Sequence, residues 1–195
     1  MIEHEYKYLL DSSLYYDTLN KLTLDSEGKK IIQINYYYDT SDFELNRKNI
    51  TFRIRQKEEK LHIEIKYPVE EVGLLHVKNE VTFPILKLPN TIDIRNFDLD
   101  GYLGNQKNIM LIGSLLTERT SFYVENGIRI DVDKNYYLGF IDYELEIEFE
   151  KNMSQEAMNI LRELTCNTNI ASQCGKRDRF MSKLREMKAL SYPNN

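Results

Sequence analysis

The chain has 195 residues, 42% of them hydrophobic and 29% charged, with a formal net charge of −5. This is the make-up of an ordinary globular protein, and residues 1–195 are expected to form a single domain. A general nucleic-acid binder, which carries a basic excess, is excluded, and no apolar run approaches the ~20 residues that span a bilayer. Charge at the third residue and the lack of an apolar leader core point to a cytoplasmic location. Cys166 and Cys174 are then expected as reduced thiols. The three histidines show no ligand spacing, so zinc is not expected.

The first nine-residue candidate, Ile2–Leu10, is a strand with Glu3, Glu5 and Lys7 on one face and Ile2, Tyr6 and Tyr8 on the other. Lys30–Tyr38 is β-branched and aromatic, and Tyr36–Tyr38 read as strand packing rather than a base-stacking platform. Asn49–Arg55 and Leu61–Tyr67 alternate on either side of a polar turn at Lys57–Lys60 and form a hairpin. Leu75–Phe83 follows, closed by Pro84. Residues 85–117 mix Pro89 and polar residues with short apolar stretches such as Ile109–Ile112, and predict one or two short helices. Strands resume at Glu118–Val124, turn at Asn126–Gly127, and continue through Ile128–Asp133 and Ile141–Phe149, making about eight in all. Two helices close the chain. Ser154–Leu164 has Ser154 as its N-cap, and the second, from about Lys176 to Lys188, carries Phe180, Leu184 and Met187 on one face.

Sorting the strands by parity gives one ionic face and one apolar face nearly everywhere. The ionic sets are Thr51, Arg53 and Arg55; His62, Glu64 and Lys66; His76, Lys78 and Glu80; Arg119, Ser121 and Tyr123; Arg129, Asp131 and Asp133; and Glu144, Glu146 and Glu148. Alternation alone favours an open antiparallel sheet with its charged face in water. A closed barrel with a wet, charged lumen is the alternative. Arg and Glu segregate by strand on these faces, where solvated strand faces usually carry Thr, Ser, Gln and Lys, and both builds stay open on this ground. Like charges at 4 Å repel by roughly 4 kcal/mol at an effective dielectric near 20, so a buried acidic row needs cations. Arginine pairs match phosphate oxygens, and glutamates bind hard ions such as Mg²⁺ or Mn²⁺. Together they describe a site for a metal-complexed polyphosphate. An apolar-lumen carrier of the lipocalin type does not fit this parity.

With these motifs in order, the chain resembles the CYTH-domain family of triphosphate tunnel metalloenzymes, near its Firmicute-type bacterial branch. The resemblance rests on Glu3-x-Glu5-x-Lys7, Tyr37–Thr40, Phe52–Arg55, Lys66, Arg119, Ile130–Asp133, Tyr143–Glu148 and Gly175–Phe180. It implies an α+β, mainly β fold: an eight-stranded antiparallel closed tunnel with flanking helices. Known members are inorganic, thiamine and RNA triphosphatases and one class of adenylate cyclase. By similarity, Lys7, Arg53, Arg55, Lys66, Arg119 and Lys176 bind phosphates, with Lys78 as a further lining residue. Glu3, Glu5, Asp131, Glu144 and Glu146 hold Mg²⁺ or Mn²⁺, with Glu148 and Asp133 as alternatives two residues along. Glu5, Glu144, Glu146 and Lys176 are the catalytic set, and a last-strand glutamate can serve as general base if its pKa is raised. His62 and His76 are expected as wall or surface donors, not metal ligands. The expected activity is hydrolysis of inorganic tripolyphosphate, thiamine triphosphate or a nucleotide. The alternatives are cyclic AMP formation and binding without turnover. The expected partner is the small-molecule triphosphate alone, without membrane or nucleic acid, on a monomer or homodimer.

Overall fold

A computed structural model describes residues 2–72, 74–97, 99, 108–124, 127–166 and 175–191. The chain runs β1 (Ile2–Leu10), α1 (Ser12–Asp25), β2 (Lys29–Asp39), the one-turn α2 (Glu44–Arg47), β3 (Thr51–Lys57), β4 (Lys60–Val72) and β5 (Leu75–Ile85). It continues with β6 (Thr91–Asp93), a 3₁₀ turn (Ile94–Asn96), β7 (Asn108–Val124), β8 (Ile128–Tyr137), β9 (Phe140–Phe149), α3 (Ser154–Leu164) and α4 (Lys176–Ser191).

The strands pair antiparallel in the order β2-β3-β4-β5-β1-β9-β8-β7, and β2 returns to pair with β7, closing an eight-stranded barrel. The short β6 adds to the side of β7. Closure leaves those eight strands with no open edge. The β8–β9 connection is the two-residue turn Leu138–Gly139, both at positive φ, the I′ geometry that matches strand twist.

Two expectations are corrected. Residues 108–117 are strand, not helix: β7 starts ten residues before the predicted Glu118. Its apolar residues fall on both faces, and a bulge opposite Tyr37 and Tyr38 interrupts the period of two. Ser154 does not cap α3; its hydroxyl pairs with Tyr6 Oη at 2.7 Å, and the helix has no side-chain cap. Helix α1, over a stretch for which the sequence offered no assignment, is capped by Asp11, which accepts from Leu14 N at 2.8 Å. Of the two cysteines, Cys166 is a free, exposed thiol; Cys174 and Asn126 lie outside the described residues.

The apolar cores lie outside the barrel. Tyr6, Tyr8, Ile130, Val132, Leu145 and Ile147 pack under α1 and α3. Phe52, Ile54, Ile63 and Ile65 pack with Tyr38, Ile92 and Ile109 on the opposite wall. Each such side chain contributes roughly 1.5–3 kcal/mol on full burial, so the barrel is held from its outer surface. A third cluster, Tyr37, Leu115, Tyr137, Phe180 and Met181, fixes α4 across one end. Gly113 makes that seat: it has φ +149, and a Cβ there would lie 2.7 Å from the Phe180 ring.

Candidate active site

The strands whose outer side chains build these cores turn their alternate residues into the lumen. The cavity there spans about 690 Å³ including its open mouth and is lined by charge on nearly all sides. Glu3, Glu5, Lys7, Arg53, Arg55, Lys66, Lys78, Arg119, Glu146, Glu148 and Lys176 of the expected set all reach it. Asp131 and Glu144 are buried beneath its wall. The parity rule thus brings ionic side chains from seven strands to one place, inside rather than in solvent, and the last helix adds Lys176.

One wall is basic. Arg53 and Arg55 on β3 face Glu64 on β4, at 2.6 and 3.3 Å. Arg55 Nε also donates to Asn35 Oδ1 at 2.9 Å. Lys66 bridges Glu3 at 2.5 Å and Glu80 at 2.6 Å. Burial and the adjacent Arg53 lower the pKa of Arg55. Lys57, next along the same face of β3, is lowered to about 8 by burial and by Arg55.

The facing wall is acidic and lies under the start of α4. Carboxylate oxygens of Asp133, Glu144 and Glu146 lie within 4.8 Å of one another, all three residues buried. Lys176 Nζ, from the first turn of α4, stands 2.8, 2.5 and 2.9 Å from those same three residues. Arg119 donates to Asp133 at 2.7 and 2.6 Å and also reaches Asp131 and Glu146. Lys7 donates to Glu146 at 2.8 Å and lies 3.0 Å from Glu5. Asp131 accepts from Ser121 at 2.6 Å and from Arg119 and Arg129. Glu148 pairs with Arg129 at the rim away from α4.

Burial opposes every one of these charges, and pairing decides the outcome. Burial would raise Glu144, but Arg179 and Lys176 pull it down to about 2. Lys176, Lys7 and Arg119 likewise outweigh burial and hold Glu146 well below the usual carboxylate range. Burial would lower Lys176; Asp133, Glu144 and Glu146 outweigh it and raise it. At the rim burial wins instead, and Glu3 and Glu148 are raised despite Lys66 and Arg129. The condition set for a last-strand general base is therefore unmet by Glu144 and Glu146; Glu148 alone of the three is raised.

The oxygen-only donor set suits a hard divalent cation. Glu144, 1% exposed, keeps Oε1 without a hydrogen-bond partner among the described residues, and such a buried oxygen requires one. Its other oxygen is fixed by Arg179 at 3.0 Å, which in turn grips Asp142 at 2.7 and 3.1 Å. The residues present therefore fit a metal ion, and Asp133, the alternative two residues along from Asp131, is the aspartate gathered with Glu144 and Glu146.

Several lining residues were not singled out from sequence. Gln33 and Tyr37 on β2 face the cavity, while Tyr36 and Tyr38 pack outward as expected. The signal was available: Gln33, Asn35 and Tyr37 share one parity. Arg177 ties α4 to Asn49 and Thr51 at 2.6 and 3.1 Å. His76 is buried in the wall, and neither it nor His62 joins the carboxylate triad.

A closed β-barrel with an ionic lumen, one basic wall and one buried carboxylate triad is the architecture of a triphosphate tunnel metalloenzyme. The CYTH domain profile matches residues 1–178, and the chain belongs to the CYTH family of that superfamily. YjbK of Bacillus subtilis (strain 168), named as a triphosphatase candidate, is 30% identical over 154 residues, covering 75% of this chain and 77% of that protein. A crystal structure from Bacillus halodurans, named as an adenylate cyclase candidate, superposes with a TM-score of 0.71 at 24% identity, over 90% of this chain and 95% of that one. HpAC1 of Hippeastrum, an adenylyl cyclase candidate described as having a dominant triphosphatase activity, gives 0.71 at 19% identity, over 92% and 95%. At these identities the two structures share the fold.

Proposed function

We propose that this protein is a divalent-metal-dependent triphosphatase that hydrolyses the terminal anhydride of an inorganic or organic triphosphate inside the barrel. The observation that carries it is the ionic lumen: Arg53, Arg55, Lys66 and Lys78 line one cavity together with Glu146, whose carboxylate belongs to the buried cluster with Asp133 and Glu144. The name borne by YjbK supports the same reading.

In this reading Arg53, Arg55, Lys66 and Lys78 bind phosphate oxygens, with Arg fork geometry fixing their orientation. Asp133, Glu144 and Glu146 hold Mg²⁺ or Mn²⁺, and Glu3 and Glu5 lie on the opposite side of Lys7 as a second acidic set. A bound divalent ion supplies charge neutralisation on phosphate oxygens and a more acidic water for in-line attack. Arg119 and Lys7, already in the cavity and fully ionised, stabilise charge as it moves to the leaving oxygen. Buried walls exclude bulk water and strengthen each of these interactions. The reaction needs no Ser, Cys or His nucleophile.

The test is phosphate release from tripolyphosphate, thiamine triphosphate and ATP with Mg²⁺ or Mn²⁺. No release above background from any of them would falsify the hydrolase reading. Cyclic AMP from ATP would make it a cyclase, and tight binding without turnover a binding module.

A further inference from the structure

Asn35 stands in the middle of β2, fully buried and directly opposite Arg55 in the register of β2 with β3. Its Oδ1 accepts from Arg55 Nε at 2.9 Å, and its Nδ2 has no hydrogen-bond partner among the described residues. The neighbouring arginine is held differently. Glu64 Oε2 accepts from Arg53 Nε at 2.8 Å and lies 2.6 Å from Arg53 Nη2. Arg55 reaches that same oxygen only at 3.3 Å, from Nη1. Two guanidinium groups therefore share one carboxylate oxygen, and the second is oriented by a neutral amide.

An aspartate at this position would remove both deficits. It has the shape of asparagine, offers a guanidinium fork two charged acceptors, and carries no N–H to leave orphaned. A buried donor without a partner and a buried cation without a full counter-charge both cost stability. What an aspartate would also remove is the unspent charge of Arg55. The electrostatics show the contrast. Burial would lower Arg53 and Arg119, but Glu64 raises the first and Asp133 and Glu146 the second, whereas burial and Arg53 leave Arg55 lowered. From this geometry we infer that Asn35 is a positioning residue: it aims the Arg55 guanidinium without neutralising it, keeping that charge for a phosphate group at a cost in stability to the free protein. The inference rests on the triphosphatase reading of the cavity. Arg55 lines that cavity and Asn35 does not, so Asn35 acts through Arg55. A local choice that costs stability and leaves charge available is the mark of a binding site.

The test sets stability against binding in the full-length protein. Thermal melting without metal or triphosphate is compared with calorimetric titration of imidotriphosphate in Mg²⁺, for wild type, Asn35→Asp, Asn35→Ala, Arg55→Ala and the double variant Asn35→Ala/Arg55→Ala. Asn35→Asp should melt above wild type yet bind imidotriphosphate about ten-fold more weakly. Damage to the fold would move both readouts downward together. Asn35→Ala should weaken binding when Arg55 is present and have no effect on binding in the Arg55→Ala background, as expected for a residue that acts through another. A lower melting temperature for Asn35→Asp, or an unchanged affinity, overturns the inference. So does an equal effect of Asn35→Ala on binding in both backgrounds. If the wild type itself does not bind imidotriphosphate, the triphosphate reading fails instead.

Discussion

Lys176 fills the place a metal ion would take. Its ammonium is 2.8, 2.5 and 2.9 Å from Asp133, Glu144 and Glu146, the same three residues whose oxygens converge within 4.8 Å. Ammonium and divalent ion therefore compete for one set of oxygens. Replacing Lys176 by Met removes the charge and leaves three buried carboxylates with Arg119, Lys7 and Arg179 as the remaining cations. Breaking a buried ion network from one side costs about 3–5 kcal/mol. At about 2–4 °C per kcal/mol for a domain of this size, the metal-free variant should melt roughly 6–20 °C below wild type. A metal at a hundred times its Kd returns about 2.7 kcal/mol, so most of the loss should be recovered. Isothermal titration with Mn²⁺, without triphosphate, should show Lys176→Met binding the ion at least about ten-fold more tightly than wild type, a change of about 1.4 kcal/mol. The same variant should bind tripolyphosphate more weakly. Equal or weaker Mn²⁺ binding by the variant, or equal stabilisation of both proteins by Mn²⁺ in calorimetry, refutes the competition.

Two further outcomes follow from other parts of the structure. Gly113→Ala sets a Cβ 2.7 Å from the Phe180 ring at a φ of +149; the displaced ring should cost about 1–3 kcal/mol, read as a lower Tm, and should weaken tripolyphosphate binding because Lys176 shares that helix. Lys57, lowered to about 8 by burial and Arg55, is charged below that pH and neutral above it in the free protein. Triphosphate affinity measured by titration calorimetry should therefore fall as pH rises through 8, by up to about ten-fold per unit for one linked proton, and Lys57→Met should flatten that limb. A wild-type profile that is flat from pH 7 to 10 would exclude a role for Lys57.

Much of the site was legible because a strand's period of two is rigid. Arg53 and Arg55, or Glu144 and Glu146, must face the same way, and once the barrel closes that way is inward. What alternation cannot supply is which residue of a row meets which across the lumen. Asp131 and Asp133 share a face and stand opposite Glu146 and Glu144 in the register of β8 with β9, so only the side-chain positions in space gather Asp133 with the two glutamates. Lys176 contacts the same three carboxylates. The start of β7 was hidden for a related reason. Ile109–Ile112 are apolar on both parities because Ile109 and Leu111 join the cluster of Ile92 while Ile112 packs with that of Phe180, and that pattern does not distinguish strand from buried helix. Arg179 and Asp142 act through contacts between α4 and β9, more than thirty residues apart, which no local pattern reveals.

β1 gains its second partner late. β1 pairs on one side with β5, some seventy residues on, and on the other with β9, whose partners begin at Tyr143. A ribosome-bound chain can pair one edge of Ile2–Leu10 once β5 emerges, but must keep the other edge waiting until β9 follows. Such long-range closure is slow and leaves strands open to the wrong partners in the interval. The charged row Glu3, Glu5 and Lys7 on that waiting strand discourages them, so residues placed for chemistry in the finished barrel also guard its assembly.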